Sequence, residues 1–336
     1  MHHHIHAIDP KAHLFAITAT LTNAQSNQIF SLPAWLPGSY MIRDFAKNII
    51  DIQFFDENNS AIPFQQLDKQ TWQVANQTAT ITLRYQVYAW DLSVRTAHLD
   101  TNHGFFNGSS VFLAAKGLEQ EIQHVTIAPP ALGELAHWKI ATSMSRVSGE
   151  PFGFGEFSAE NYDDLIDHPV EMGDLTIDTF IAAGVPHDIV LSGKHRANMA
   201  RLKQDLKAIC EYQIHLFNTP APFERYVFMT TVLDNGFGGL EHKASTALMC
   251  SRNDLPKNEH GEVDKGYRTY LSLCSHEYFH SWNVKRIKPA AFIPYDLERE
   301  NYTSLLWAFE GFTSYYDDLA LVRSGVITTR AYLDLL

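Results

Sequence analysis

Alternation of period two, repeated in short runs across the first half of the chain, limits the fold more than any other feature of the sequence. Successive side chains of a strand point to opposite faces, so a run with every second residue apolar has one face to bury. In TITLRYQVYAW, residues 80–90, Ile81, Leu83, Tyr85, Val87 and Ala89 share a face. In AHLFAITATL, residues 12–21, Phe15, Ile17, Ala19 and Leu21 do the same. HVTIAPP, residues 124–130, is a shorter run closed by two prolines. Turn clusters such as Pro37-Gly38-Ser39, Asn58-Asn59-Ser60 and Asn107-Gly108-Ser109-Ser110 punctuate the region. Many short strands with such turns predict a β-sandwich-like domain. LPAWLPGSYMIRDF, residues 32–45, reads as an ordered loop packed at a corner. The histidines of MHHHIHAIDP look partly like a tag, yet Ile5 and Ile8 read as part of a strand and favour a segment of the fold itself.

Near residue 170 the pattern changes, and strands begin to alternate with helices. Two strands follow in DLTIDTFIAAG and HDIVLSG. Residues 195–217 carry Met199, Leu202, Leu206, Ile209 and Gln213 at helical spacing with charge opposite, an amphipathic helix that Asn218 and Pro220 end. RYVFMTTVL is a strand, DNGFGG (234–239) a glycine-rich turn, and LEHKASTALM (240–249) a further strand. Residues 264–283 and 302–322 predict two more helices. A third, TRAYLDLL, is still running at Leu336 and reads as cut short. The expected organisation is α+β and multidomain: a β-rich domain over 1–170 and a mixed α/β domain over 171–336.

With 336 residues, 45% of them apolar and 19% charged, the chain can bury a large core. A formal net charge of −12 with no offsetting basic block argues against nucleic acid as a partner. No apolar run approaches the ~20 residues that span a bilayer, and the N-terminus lacks the basic-then-apolar pattern of a secretory signal. The three cysteines, Cys210, Cys250 and Cys274, are widely spaced and read as buried thiols of a reducing compartment, so a cytoplasmic location is expected. Oligomeric state is not legible.

HEYFHSWNVKRIKP, residues 276–289, carries the chemistry. On a helix His276 and His280 lie one turn apart on one face, where two imidazoles can share a metal ion, and Glu277 can reach a water on that ion. A catalytic zinc takes three protein ligands and leaves a fourth position open. Glu310 is the favoured third ligand, as a lone carboxylate among Trp307, Phe309 and Phe312 that needs a cation if buried. Glu298 and Glu300 are alternatives in a charged, solvated stretch. Ser314, one turn past Glu310, could orient a ligand or simply face solvent. Glu241, following Gly238 and Gly239, is either a stray carboxylate on a surface hairpin or, with the two histidines 35 residues on, a group that can grip a free α-ammonium, the two glycines letting a substrate backbone approach.

HEYFHSWNVKRIKP followed by WAFEGFTSYYDDL resembles the glycyl aminopeptidase family of PDZ-containing gluzincins, and GGLEH (238–242) is similar to the exopeptidase motif of that group. PAWLPGSYMIRDFAKN, GFFNGSSVFL and YDDLIDHPVEMG resemble further family segments. The resemblance runs from about residue 5 to the end. It implies a thermolysin-like catalytic domain, incomplete at its C-terminus, with one zinc on His276, His280 and Glu310 and with Glu277 as general base. It also implies peptide substrates with a free N-terminal Gly or Ala. The tyrosine that steadies the oxyanion in related enzymes stays unassigned, since Tyr315 and Tyr316 lie too close to Glu310. The alternatives are a non-catalytic peptide-binding scaffold and an endopeptidase, which would not need Glu241.

Overall fold

The structure, a computed structural model, describes residues 1–218 and 220–335; Leu336, the last residue of the expected second domain, lies outside them. Two compact units divide the described chain. The first comprises Met1–Asp174 with Asp296–Glu300, and the second Leu175–Tyr295 with Asn301–Leu336.

The strands of the first unit fall into three sheets rather than the two of a simple sandwich. The largest has seven: β1 (His2–Asp9), β2 (Leu14–Leu21), β3 (Ile49–Phe55), β4 (Ile81–Tyr88), β5 (Gln123–Ala128), β6 (Ser145–Ser148) and β7 (Gly155–Ala159). Their spatial order is β6-β7-β5-β1-β2-β4-β3. Two four-stranded sheets complete the unit. The alternation becomes burial directly: Phe15, Ile17, Ala19 and Leu21 on β2 and Ile81, Leu83, Tyr85 and Val87 on β4 all lie inside.

The N-terminal histidines belong to the fold. His3, Ile5 and Ala7 are the inward positions of β1, and Ile8 lies on its outer side, 40% exposed. The His3 ring packs on Phe112 and its Nε2 meets Gln123 Oε1 at 3.1 Å. Burial pushes the His3 imidazole down to about 3, so it stays neutral. The loop at 32–45 is packed as expected, with Leu32, Ala34, Trp35 and Leu36 buried. The Ala34 and Trp35 N–H groups donate to the Leu297 carbonyl at 2.9 and 3.2 Å. The segment Asp296–Glu300 thus belongs with the first unit although it lies between the zinc-motif helix and the helix of Glu310.

The second unit is built on one mixed five-stranded sheet. Its strands are β8 (Thr176–Ala182), β9 (Val185–Ser192), β10 (Tyr226–Leu233), β11 (Gly238–Glu241) and β12 (Ser245–Ser251), ordered β8-β9-β10-β12-β11. The pairs β9/β10 and β10/β12 are parallel, while β8/β9 and β11/β12 are antiparallel. The single strand expected over 240–249 is therefore a hairpin that turns at His242–Ala244, closed by the His242 N–H donating to the Ser245 carbonyl at 3.0 Å. Gly238 and Gly239 belong to the edge strand rather than to the turn before it.

Three helices of this unit carry the site: α1 (Met199–Leu216), α2 (Lys265–Phe279) and α3 (Leu306–Arg323), followed by α4 (Thr329–Leu333). Leu202, Leu206 and Ile209 of α1 bury into one core with Phe228 and Leu248 of the sheet and with Tyr270, Leu271 and Tyr278 of α2. Asp264 caps α2, its carboxylate accepting the Tyr267 N–H at 2.9 Å. The helix stops at Phe279, short of the expected 283, because Ser281 and Trp282 bond back three residues to Tyr278 and Phe279 at 3.1 Å. Among the described residues no helix is long and apolar enough to cross a membrane.

Candidate metal centre

One buried polar ladder sets the register of α1, α2 and α3. Gln213 Nε2 on α1 donates to the Ser275 carbonyl and hydroxyl on α2 at 2.9 and 2.8 Å. Ser275 Oγ in turn donates to the Asp317 carbonyl on α3 at 2.8 Å. With these bonds made, the next residue of α2, His276, faces α3.

His276 and His280 come together as the helical spacing requires, their Nε2 atoms 3.1 Å apart. Each ring is oriented from behind. His276 Nδ1 donates to Asp317 Oδ2 at 2.8 Å, and His280 Nδ1 donates to the Asn283 carbonyl at 2.8 Å. Both Nδ1 atoms thus carry the proton, and both Nε2 lone pairs point at the same small volume. Glu310 Oε2 completes it, 3.5 Å from His276 Nε2 and 3.6 Å from His280 Nε2. Ligands about 2.0–2.2 Å from a tetrahedral ion sit roughly 3.3 Å from one another. The separations of 3.1, 3.5 and 3.6 Å therefore suit two imidazoles and a carboxylate around one ion.

The electrostatics agree. Two facing imidazole lone pairs repel unless a positive charge lies between them. Burial alone would disfavour charge on His276, yet the Asp317 and Glu310 carboxylates outweigh it and raise the imidazole to about 10. The pocket calls for a cation, and His276, His280 and Glu310 form one of the two groups among the described residues able to hold a metal.

Glu310 is not buried among aromatic rings as expected. Trp307 and Phe312 face outward at 69% and 54% exposed, and the Glu310 side chain is itself 34% exposed. The carboxylate is set by its place on α3 rather than by burial among rings. Glu298, paired with Lys116, and Glu300 lie in the segment that joins the first unit and are not in the metal cluster. Ser314 is exposed. Asp317, two turns beyond Glu310 on the same face, does the orienting; that same-face spacing was the signal for it. Thr313, one turn beyond Glu310, is buried, and Asn283 Nδ2 donates to its hydroxyl at 3.3 Å and to the Phe309 carbonyl at 3.2 Å, tying the loop after His280 to α3. Tyr316 stacks on Phe279 with centroids 5.3 Å apart, while Tyr315 is 54% exposed.

Glu277 packs beside Gly239 of the edge strand β11 and is only 5% exposed. Burial first, then the charge of Glu241, pushes its carboxyl up to about 7. Glu241, at the end of β11 and 4% exposed, lies close to it in a second group formed with His280. The glycines before Glu241 divide their roles. A Cβ on Gly238 would meet nothing within 4 Å, which leaves open space at that point of the strand. A Cβ on Gly239 would meet Glu277 Cδ at 2.5 Å and Cγ at 2.8 Å. Gly239 therefore makes room for Glu277, a role the sequence reading had given to an approaching substrate backbone.

The first part of the chain, residues 2–174, matches the family model described as the Peptidase M61 N-terminal domain, and residues 269–336 match that of M61 glycyl aminopeptidase. No curated protein matches it. Among solved structures it is similar to an aminopeptidase N family protein from Idiomarina loihiensis, with 50% identity and a TM-score of 0.96, covering 99% of this chain and 56% of that one. It is also similar in fold to an M1 zinc metallopeptidase from Deinococcus radiodurans, with 14% identity and a TM-score of 0.54, over 98% of this chain and 72% of that one. A mutant form of that metallopeptidase, bound to a Tyr-Ser-Ala substrate, aligns at 15% identity with a TM-score of 0.55, over 97% of this chain and 71% of that one. The chain thus spans little more than half the length of its 50%-identical relative.

Proposed function

The chain belongs to the M61 glycyl aminopeptidase family, and from that premise we propose that its second unit is the zinc-holding part of an aminopeptidase. It would release N-terminal residues, Gly or Ala by preference, from peptides. The observation that carries the reading is the convergence of two oriented imidazoles and one carboxylate at 3.1–3.6 Å, with the buried carboxyl of Glu277 beside them. Read this way, the sheet with α2 and α3 corresponds to a thermolysin-like catalytic core.

His276, His280 and Glu310 would hold one zinc, with Asp317 and the Asn283 carbonyl keeping the imidazoles in the right tautomer. When bound, zinc supplies a Lewis acid for the scissile carbonyl and lowers the pKa of a water towards ~7. Glu277 takes the proton of the attacking water and delivers it to the leaving amine. A carboxylate held near neutrality by burial is suited to both transfers. Glu241 receives the α-ammonium of the substrate, which fixes cleavage one residue in. Gly238, on the open edge strand β11, leaves space for the substrate backbone beside Glu241.

Zinc analysis and hydrolysis of glycyl and alanyl anilides test this. We expect one zinc per chain and cleavage that falls by about 10²–10⁴ in Glu277→Gln with zinc retained. Cleavage of an N-acetylated peptide as fast as the free one would point to an endopeptidase and defeat the role of Glu241. Zinc binding without any cleavage would leave a peptide-binding scaffold.

A further inference from the structure

Beside the three-donor cluster lies another that shares only His280 with it. Glu241, Glu277 and His280 each offer a ligand atom within 4.8 Å of the other two, and all three are buried. Glu241 Oε1 and Glu277 Oε2 each lack a hydrogen-bond partner. Two carboxylates that are 4% and 5% exposed, with unsatisfied oxygens, are costly to keep without a cation between them. His280 cannot serve both clusters, because its Nδ1 is committed to the Asn283 carbonyl and its single remaining nitrogen faces His276 and Glu310.

We propose that Glu241 and Glu277, through one oxygen each, form a second and weaker seat for a divalent cation, and that an ion there inhibits the enzyme. It would occupy at once the carboxylate that moves the proton and the carboxylate that holds the α-ammonium. The inference rests on the zinc-peptidase reading of the first cluster. Carboxylate oxygens on opposite sides of one ion lie up to roughly 4.4 Å apart, given bonds of about 2.2 Å. A group spread over at most 4.8 Å closes on an ion with a small side-chain adjustment. Two features make the seat the weaker one. It offers oxygen alone where the first cluster offers two imidazoles, and an ion already on His280 repels a second.

Equilibrium dialysis of zinc against the metal-stripped full chain is the test. The expected result is one tight equivalent and one weak equivalent, their affinities separated by at least about 100-fold. Glu241→Gln should keep the tight equivalent and lose the weak one; Glu241→Asp, which keeps charge but shortens the reach, should weaken it at least tenfold. In turnover assays, excess zinc should raise the apparent KM for a glycyl anilide and leave kcat unchanged. A single tight equivalent in the wild type overturns the second seat and leaves the proposed function standing. A weak equivalent that survives in Glu241→Gln also overturns it, assigning that ion to surface groups such as the imidazoles on the outer face of β1. Absence of the tight equivalent would instead overturn the proposed function.

Discussion

Replacing Gly239 by alanine adds one methyl group and tests the link between β11 and Glu277, the proposed general base. The backbone tolerates the change, since Gly239 is not among the residues with positive φ. The side chain opposite does not. The new Cβ would lie 2.5 Å from Glu277 Cδ and 2.8 Å from Cγ, where ordinary contact begins at 3.4 Å. Glu277 must therefore retreat by about 1 Å, and at 5% exposure it has little free space to retreat into. A displacement of ~1 Å in a reacting group costs on the order of 10² in rate. That is about 2.7 kcal/mol in the barrier, at 1.36 kcal/mol per tenfold. Overpacking should also lower the stability by about 1–3 kcal/mol. The assay is kcat on a glycyl anilide, read together with zinc content and a urea midpoint. We expect kcat down by about 100-fold, with one zinc still bound because none of the three metal donors is touched. Gly238→Ala, whose Cβ meets nothing within 4 Å, is the control for stability: whatever it does to KM, its urea midpoint should correspond to a change within about 0.5 kcal/mol. If Gly239→Ala keeps kcat within about threefold of the wild type, or if Gly238→Ala lowers the urea midpoint as much as Gly239→Ala does, the placement of Glu277 by Gly239 is wrong.

Three further outcomes follow from the geometry. Asp317→Ala removes the acceptor of His276 Nδ1 and should weaken zinc binding by about 10–100-fold in a chelator competition, with Asp317→Asn intermediate; equal affinity in all three proteins would refute the orienting role. His187, whose Nδ1 donates to the Val185 carbonyl and whose Nε2 accepts from the Tyr278 hydroxyl, is held neutral by burial, its pKa lowered to about 4. Because the unfolded chain protonates first, stability is full above about pH 6.5 and is lost as pH falls to about 4, by roughly 3 kcal/mol from this group. Urea midpoints across that window should flatten in His187→Asn, and an unchanged slope would contradict the assignment. His3→Ala opens a cavity against Phe112 and strips Gln123 Oε1 of its partner, so it should cost about 2–4 kcal/mol in thermal or urea unfolding; an unchanged midpoint would refute the packing role of His3.

What could be read in advance was what one element decides alone. The inward faces of β2 and β4 follow from alternation, and the meeting of His276 and His280 follows from the pitch of a helix. Glu310 does lie beside the two imidazoles, but the reason that singled it out is undone by the exposed Trp307 and Phe312. The missing parts depend on partners distant in sequence. Alternation states which side of β1 is inside, yet says nothing of the parallel pairing of β1 with β5 or of the division of strands into three sheets. The hairpin at His242–Ala244 escaped because it turns without Gly, Pro, Asn or Asp. The role of Gly239 was unreadable because it depends on a side chain from α2. Asp317 alone was within reach, as a second acidic position on a face already in question.

The central place of β1 bears on how the chain is synthesised. One edge of this strand is covered at once by β2, its neighbour in sequence, and the other by β5, so that His3 and its partner Gln123 stand 120 positions apart. While residues 10–122 leave the ribosome, that second edge has unpaired backbone groups and the apolar faces of Ile5 and Ala7 beside it. An open, half-apolar edge of this kind is where nascent chains pair with the wrong neighbour. Yield in cells should therefore respond to chaperone supply and to slower translation before β5 more than the stability of the finished protein would suggest.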